Sequence, residues 1–179
     1  MLLTNKRCLV TGGAGFIGSH LSERLVSLGN NVSIIDNFST GKQNLELLSS
    51  LGIKIHESDI TKITDIEKIF KGVDIVFHLA AMNRAQRSIQ DPILSNKVNV
   101  NGTLNCLKLA KDNNVEKFVF SSSSSVYEGV TNKKLEEGMN LKPLHPYGVG
   151  KLAAEHYCRV FHEIFKLNTI TLRYFSVYA

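Results

Sequence analysis

Cysteine is scarce and unpaired in this chain: Cys8, Cys106 and Cys158 are the three present. An odd count, with no CxxC and no Cys/His cluster, excludes a disulfide framework and a thiolate metal site. Each thiol falls in an apolar strand or helix pattern. Small buried hydrophobes in a reducing, cytoplasmic setting are therefore expected. No apolar run approaches the ~20 residues of a membrane span. No signal peptide precedes Met1, which leads straight into a strand pattern, so no membrane partner is expected. Basic clusters are missing as well. The chain carries 21 basic and 16 acidic residues, a net charge of +5. These charges are dispersed, and the adjacent lysine pair, Lys133-Lys134, falls in an expected loop. Such a surface excludes a nucleic-acid-binding face but suits an anionic ligand. Low-complexity linkers are absent, and the serine run Ser121–Ser125 is too short to be one.

What is present is a strand–helix rhythm. With 43% apolar and 21% charged residues over 179 positions, one globular domain spanning residues 1–179 is expected. Apolar runs predict strands at Lys6–Thr11, Val32–Asp36, Ile53–Ser58, Asp74–Leu79, Lys117–Ser121 and Asn168–Tyr174. Between them, Ile17, Leu21, Leu25 and Leu28 fall at helical spacing, and Gly29 ends that helix. Further helices are predicted at Asn44–Leu51 and Asp65–Phe70, and at Asp91–Asn113, where Asp91 caps and Pro92 opens the first turn. Tyr147–Phe165 is a long helix with Val149, Leu152, Ala153, Val160 and Ile164 on one stripe. Residues 122–146 read as mostly loop. Continuous apolar strands imply a parallel sheet buried on both faces by helices, an α/β fold of doubly wound type.

The segment Thr11–Gly18 (TGGAGFIG) follows the first strand and opens the first helix. That context makes it a dinucleotide-binding turn of Rossmann-like form. Gly12, Gly13 and Gly15 permit a tight turn and close approach of a pyrophosphate. Gly18 lets the helix pack on the sheet, and the first amides of the helix face the phosphates. Asp36 ends strand two. A carboxylate there accepts both ribose hydroxyls and repels a 2′-phosphate, which selects NAD over NADP. Tyr147 and Lys151 stand four apart at a helix start and share a face. A free phenol titrates near ~10 and must fall by about three units, roughly 4 kcal/mol, to act as a base near neutrality. A neighbouring lysine supplies about one to three of those units. The positive ring of oxidised nicotinamide supplies the rest, so Tyr147 is expected to be a good base only with NAD+ bound.

Eight pieces run along the chain: TGGAGFIG, Asp36–Gly41 (DNFSTG), Ser58-Asp59-Ile60, His78–Ala81 (HLAA), Asn99–Thr103 (NVNGT), FSSSSSVY, YGVGK and LRYFSVY. On these the chain resembles the extended short-chain dehydrogenase/reductases of the NAD-dependent epimerase/dehydratase type, most of all the UDP-sugar 4-epimerases. The resemblance implies that Phe16 and Ile17 line the pyrophosphate and that Asp36 and Asn37 hold the adenosine ribose. It implies that Asp59 and Ile60 flank the adenine and that Leu79, Ala80 and Ala81 border the cofactor. Asn99 and Phe175 would sit near the nicotinamide. Ser123 matches the catalytic hydroxyl, Tyr147 the base and Lys151 its electrostatic partner. In the family's substrate loop, Arg84 and Arg87 would meet a diphosphate or sugar. Arg87-Ser88 before Asp91-Pro92 is similar to the UDP-N-acetylhexosamine epimerases.

The reaction so implied removes a proton from the sugar 4-hydroxyl, moves hydride to NAD+ and returns it to the other face of a 4-keto sugar. A 4,6-dehydratase is the main rival. It needs ionisable groups just after the catalytic hydroxyl, where this chain has Ser124 and Ser125. A non-catalytic NAD-binding module is a third reading, although it would need none of Ser123, Tyr147 and Lys151. Two departures stand out. Glu128 follows Val-Tyr where the family usually has glycine. The chain also stops at Ala179, whereas the family continues into a smaller carboxy-terminal substrate domain. A cofactor-binding and catalytic half, with little or no turnover alone, is therefore expected. The resemblance further implies a homodimer built by helices 91–113 and 147–165.

Overall fold

The computed structural model describes residues 3–130 and 134–178; Met1 and Lys133, named above, lie outside them. The chain begins β1 (Arg7–Thr11), α1 (Phe16–Ser27), β2 (Asn31–Asp36), α2 (Leu45–Ser50) and β3 (Lys54–Glu57). It then crosses through α3 (Ile63–Ile66), which runs on as a 3-10 turn at Glu67–Phe70, into β4 (Ile75–His78). Next come α4 (Ala85–Gln90) and α5 (Pro92–Asn96), a π-helical stretch at Lys97–Gly102, and α6 (Thr103–Asp112). β5 (Lys117–Ser123), a 3-10 turn at Ser124–Tyr127, α7 (Pro146–Phe165) and β6 (Thr169–Tyr174) complete it.

The six strands form one sheet in the order β3-β2-β1-β4-β5-β6, with every pairing parallel. Strand alternation sends successive side chains to opposite faces. Cys8 and Val10 of β1, with Ile34 of β2, join Leu25 and Leu48 from α1 and α2 on one face. Leu9 and Ile35 join Phe118, Phe120, Leu107 and Phe161 on the other. The strand order reverses between β1 and β4, and a crevice opens there at the carboxyl ends of the strands. The outer strands depart from the expectation of burial on both faces: β3 and β6 hold no fully buried residue. Cys8, Cys106 and Cys158 are buried, free thiols. No helix among the described residues is long and apolar enough to cross a membrane.

Several elements differ from the sequence reading. α4 lies where a loop was expected, because AQRSIQ turns only Ser88 fully inward and so carries no apolar period. The 91–113 helix starts as predicted, with Asp91 Oδ1 accepting the Leu94 amide at 2.9 Å and Pro92 next. It then widens into the π stretch, which turns Asn99 and Gly102 inward. β5 runs two residues further than predicted. On α7 the predicted stripe is not the buried face. Val149 and Ile164 are 53% and 65% exposed. The face against the sheet is Gly148, Lys151, Ala154, Cys158 and Phe161. That face includes a lysine and a glycine, so an apolar pattern passes over it.

Candidate functional site

The glycine turn is shaped by contacts that no side chain would survive. Gly12 has φ +69°, and a Cβ on it would lie 2.7 Å from the Ala80 amide nitrogen. A Cβ on Gly18 would lie 2.2 Å from the Gly12 carbonyl oxygen. Both peptide groups of Ala14 are pinned: its N–H donates to Asp36 Oδ2 at 3.0 Å, and its carbonyl accepts from Asn44 Nδ2 at 2.9 Å. α1 opens at Gly15 with no side-chain cap and no acid in its first turn. Its first amides therefore carry uncompensated partial positive charge, the condition for holding an anion. Asp36 also accepts the Phe38 amide through Oδ1 at 2.8 Å. Each carboxylate oxygen keeps a second lone pair for an incoming hydroxyl.

The opposite wall, residues 79–82, is fixed by a buried hydrogen-bond chain. The Ala80 amide donates to Thr11 Oγ1 at 3.2 Å, and Leu79 N–H to the Thr11 carbonyl at 3.0 Å. Thr103 Oγ1 spends its own proton on the Asn99 carbonyl at 2.7 Å. It must then accept from His78 Nε2 at 3.0 Å, which leaves His78 Nδ1 to accept from Thr11 Oγ1 at 2.7 Å. His78 is wholly buried, and burial pulls it down to about 3, so the ring is neutral. Asn99, 1% exposed, spends its amide on the N–H and carbonyl of Met82, at 2.9 and 3.1 Å. Nothing local in the sequence signals this chain, since Thr11 and His78 are 67 residues apart.

At the end of β5 the serines separate by partner. The Ser121 carbonyl accepts Lys151 Nζ at 2.7 Å. Ser122 donates to Glu155, which Arg173 holds through Nε and Nη2 at 3.0 and 2.8 Å. Ser125 donates to Glu128 Oε1 at 3.0 Å. Ser123 accepts the Ser125 amide at 3.1 Å and has Tyr147 beside it on the cavity wall. Burial pushes the Tyr147 phenol up, and the Ser123 hydroxyl works the other way. Lys151 is 3% exposed, its Nζ 4.8 Å above the Phe120 ring and 5.8 Å from the centre of the Tyr147 ring. Burial pulls this lysine down to about 8. The expected lowering of the phenol by Lys151 is not found: the ammonium is turned to the Ser121 carbonyl and is itself destabilised.

The glycine turn, the 79–82 wall and the end of β5 all face one cavity of about 500 Å³. Gly12, Gly15, Phe16, Ile17 and Gly18 face it from the glycine turn, and Asp36, Asn37, Asp59 and Ile60 from the ends of β2 and β3. Leu79, Ala80, Ala81 and Arg87 face it from β4 and α4, and Ser123, Tyr147, Lys151 and Phe175 close its far end. Asn99, Arg84 and Ser88 are not on its surface. Asn99 buttresses the wall from behind, as described. Arg84 is exposed and starts α4 with φ +75°, and Ser88 is buried and donates to the Ala85 carbonyl at 2.7 Å. Lys97 and Met82 line the cavity without having been predicted. No group of three or more possible metal ligands occurs among the described residues.

The chain is 36% identical over 175 residues to a putative UDP-glucose 4-epimerase of Methanocaldococcus jannaschii, spanning 96% of this chain and 56% of that protein. Its fold matches a solved UDP-N-acetylglucosamine 4-epimerase from Methanobrevibacter ruminantium M1 with TM-score 0.91 and 40% identity, over 98% of this chain and 56% of the other. The Thermus thermophilus UDP-glucose 4-epimerase, solved with NAD, matches with TM-score 0.85 and 35% identity, over 94% and 54% of the two chains. The chain spans about half the length of the curated relatives it matches. The sequence model of the NAD dependent epimerase/dehydratase family fits residues 8–179, and the chain belongs to that family.

Proposed function

We propose that this chain is the cofactor-binding and catalytic half of an NAD-dependent UDP-sugar 4-epimerase working through a transient 4-keto sugar. The observation that carries this is the meeting of Ser123 and Tyr147 at the end of the cavity, with Lys151 buried behind them. The cavity residues fit NAD. Gly12 and Gly18 leave room that any Cβ would fill, the uncapped start of α1 suits a pyrophosphate, and Asp36 has free lone pairs for a ribose. Bound NAD gives the hydride of the sugar C4 a place to go and to return from. With NAD+ bound, whose positive ring would favour the phenolate, Tyr147 takes the 4-hydroxyl proton and later gives it back. Ser123 holds the developing charge on that oxygen. Arg87 and Lys97, at the open side of the cavity, suit the diphosphate of the substrate.

A 4,6-dehydratase is disfavoured because Ser124 and Ser125 cannot ionise usefully. The next acid along the chain, Glu128, is turned to Ser125 and His145 and does not line the cavity. A homodimer through helices 91–113 and 147–165 is also proposed. Ile93, Val149 and Ile164 are 81%, 53% and 65% exposed, and α5 packs against α7. Three buried free thiols support a reducing, cytoplasmic setting.

The test incubates this chain, and the same chain extended by a downstream region, with UDP-glucose, UDP-N-acetylglucosamine and NAD+. Interconversion of epimers without net NADH is expected from the extended protein, with little or none from this chain alone. A 4-keto-6-deoxy product would identify a dehydratase, and cofactor binding without chemistry in the extended protein a sensor.

A further inference from the structure

Ser123 and Tyr147 come from different elements, joined by a long connection. Ser123 ends β5 and Tyr147 lies in the first turn of α7. We propose that Ser125, Glu128 and His145 form a strut that sets the spacing between them, which makes Glu128 and His145 positioning residues for the reaction proposed above; the inference rests on that reading.

The strut can be followed atom by atom. Ser123 Oγ accepts the Ser125 amide at 3.1 Å. Ser125 Oγ donates to Glu128 Oε1 at 3.0 Å. Glu128 Oε2 stands 2.8 Å from His145 Nε2. His145 Nδ1 accepts the Gly148 amide at 3.1 Å, the capping bond of α7. Because Nδ1 accepts, the ring proton sits on Nε2 and faces the carboxylate. The carboxylate approaches off the line of that N–H, so the link is a close contact between a carboxylate and the neutral ring's N–H dipole and not an aligned hydrogen bond. The His145 ring also stacks on Tyr147, with centroids 5.9 Å apart and planes 15° apart.

Two features make this more than a helix cap. Caps are ordinarily Ser, Thr, Asp or Asn, whose short side chains satisfy an amide and reach no further. A histidine satisfies the amide with one nitrogen and spans to Glu128 with the other. The two elements also touch at the strut. A Cβ on Gly148 would lie 2.8 Å from the Ser125 carbonyl oxygen, so a displaced Ser125 turn moves against the start of α7.

Two readouts test the strut: hydrogen exchange at the Gly148 amide in this chain, and steady-state kinetics in the extended protein. In Glu128→Ala, Gly148 is expected to exchange about tenfold faster although Glu128 does not touch it, and Glu128→Gln, whose single acceptor oxygen can serve Ser125 or His145 but not both, should fall between Glu128→Ala and wild type. In kinetics, Glu128→Ala and His145→Ser should each lower kcat about tenfold with KM and NAD+ affinity unchanged, and the double variant should be no worse than either. Gly148 exchange in Glu128→Ala within about twofold of wild type overturns the strut. So do additive losses in the double variant. If wild type shows no turnover while Gly148 loses protection in Glu128→Ala, the epimerase reading fails and the strut stands.

Discussion

Single residues carry most of the site's tension. Lys151 is a buried ammonium whose pKa falls from 10.5 to about 8. Between those values the unfolded chain binds more protons than the folded one, so stability rises with pH across that window. Below pH 8 the buried charge costs about 3 kcal/mol, offset in part by its bond to the Ser121 carbonyl, worth ~1 kcal/mol. Lys151→Met is therefore expected to melt higher than wild type at pH 7 while losing turnover. The gap in melting temperature should close as pH rises from about 8 to 10.5. Thermal melts across that range check it. Gly18→Ala is the converse case. Its Cβ would press on the Gly12 carbonyl oxygen at 2.2 Å, so the turn must open. Calorimetry should find NAD+ affinity lowered at least about tenfold, equivalent to ~1.4 kcal/mol. The glycine turn was legible in the sequence because a backbone restriction maps onto one residue type. The His78 chain was not, because its partners Thr11 and Thr103 lie 67 and 25 residues away.

Elements were legible where their ends are marked by local chemistry. The Asp91-Pro92 start is an example, and the capping bond to Leu94 follows from two adjacent residues. Asp91→Ala should lower stability by about 1 kcal/mol, read as a shift of the urea midpoint with unchanged slope. What the sequence could not supply is which face of a helix meets the sheet when two faces qualify. On α7 Val149 and Ile164 of the apolar stripe face solvent while the rest of it is partly buried, and the inner face holds Gly148 and Lys151. The short α4 was missed for the related reason that its inward residue is a serine, Ser88, hydrogen-bonded to its own helix. The π stretch has no period of its own to read. Its effect is nonetheless local and specific: it presents Asn99 to Met82 and so holds the cavity wall.

At the scale of the molecule, the reversal of strand order between β1 and β4 brings the glycine turn, the 79–82 wall and the Ser123–Tyr147 pair to one edge. The parallel sheet was legible from the alternation of strands and helices, since parallel strands need crossovers, whereas the 79–82 wall and Ser123 were legible only through the family resemblance. The outward stripe on α5 and α7 gives the matching prediction for association. Sedimentation at high concentration should show a dimer, and Ile93→Asp with Val149→Asp should return it to monomer with little change in melting temperature. Persistence of the dimer in that double variant would place the interface elsewhere.

Asp36 ties two jobs together. The carboxylate proposed to discriminate between coenzymes is also the clamp on the Ala14 amide, and so on the glycine turn. An engineer seeking to convert this chain to the phosphorylated coenzyme would ordinarily exchange that acid for a small or basic residue. Here the exchange also loosens the phosphate cradle, so the switch needs a second substitution that hands Ala14 a new acceptor before any gain in preference can be realised.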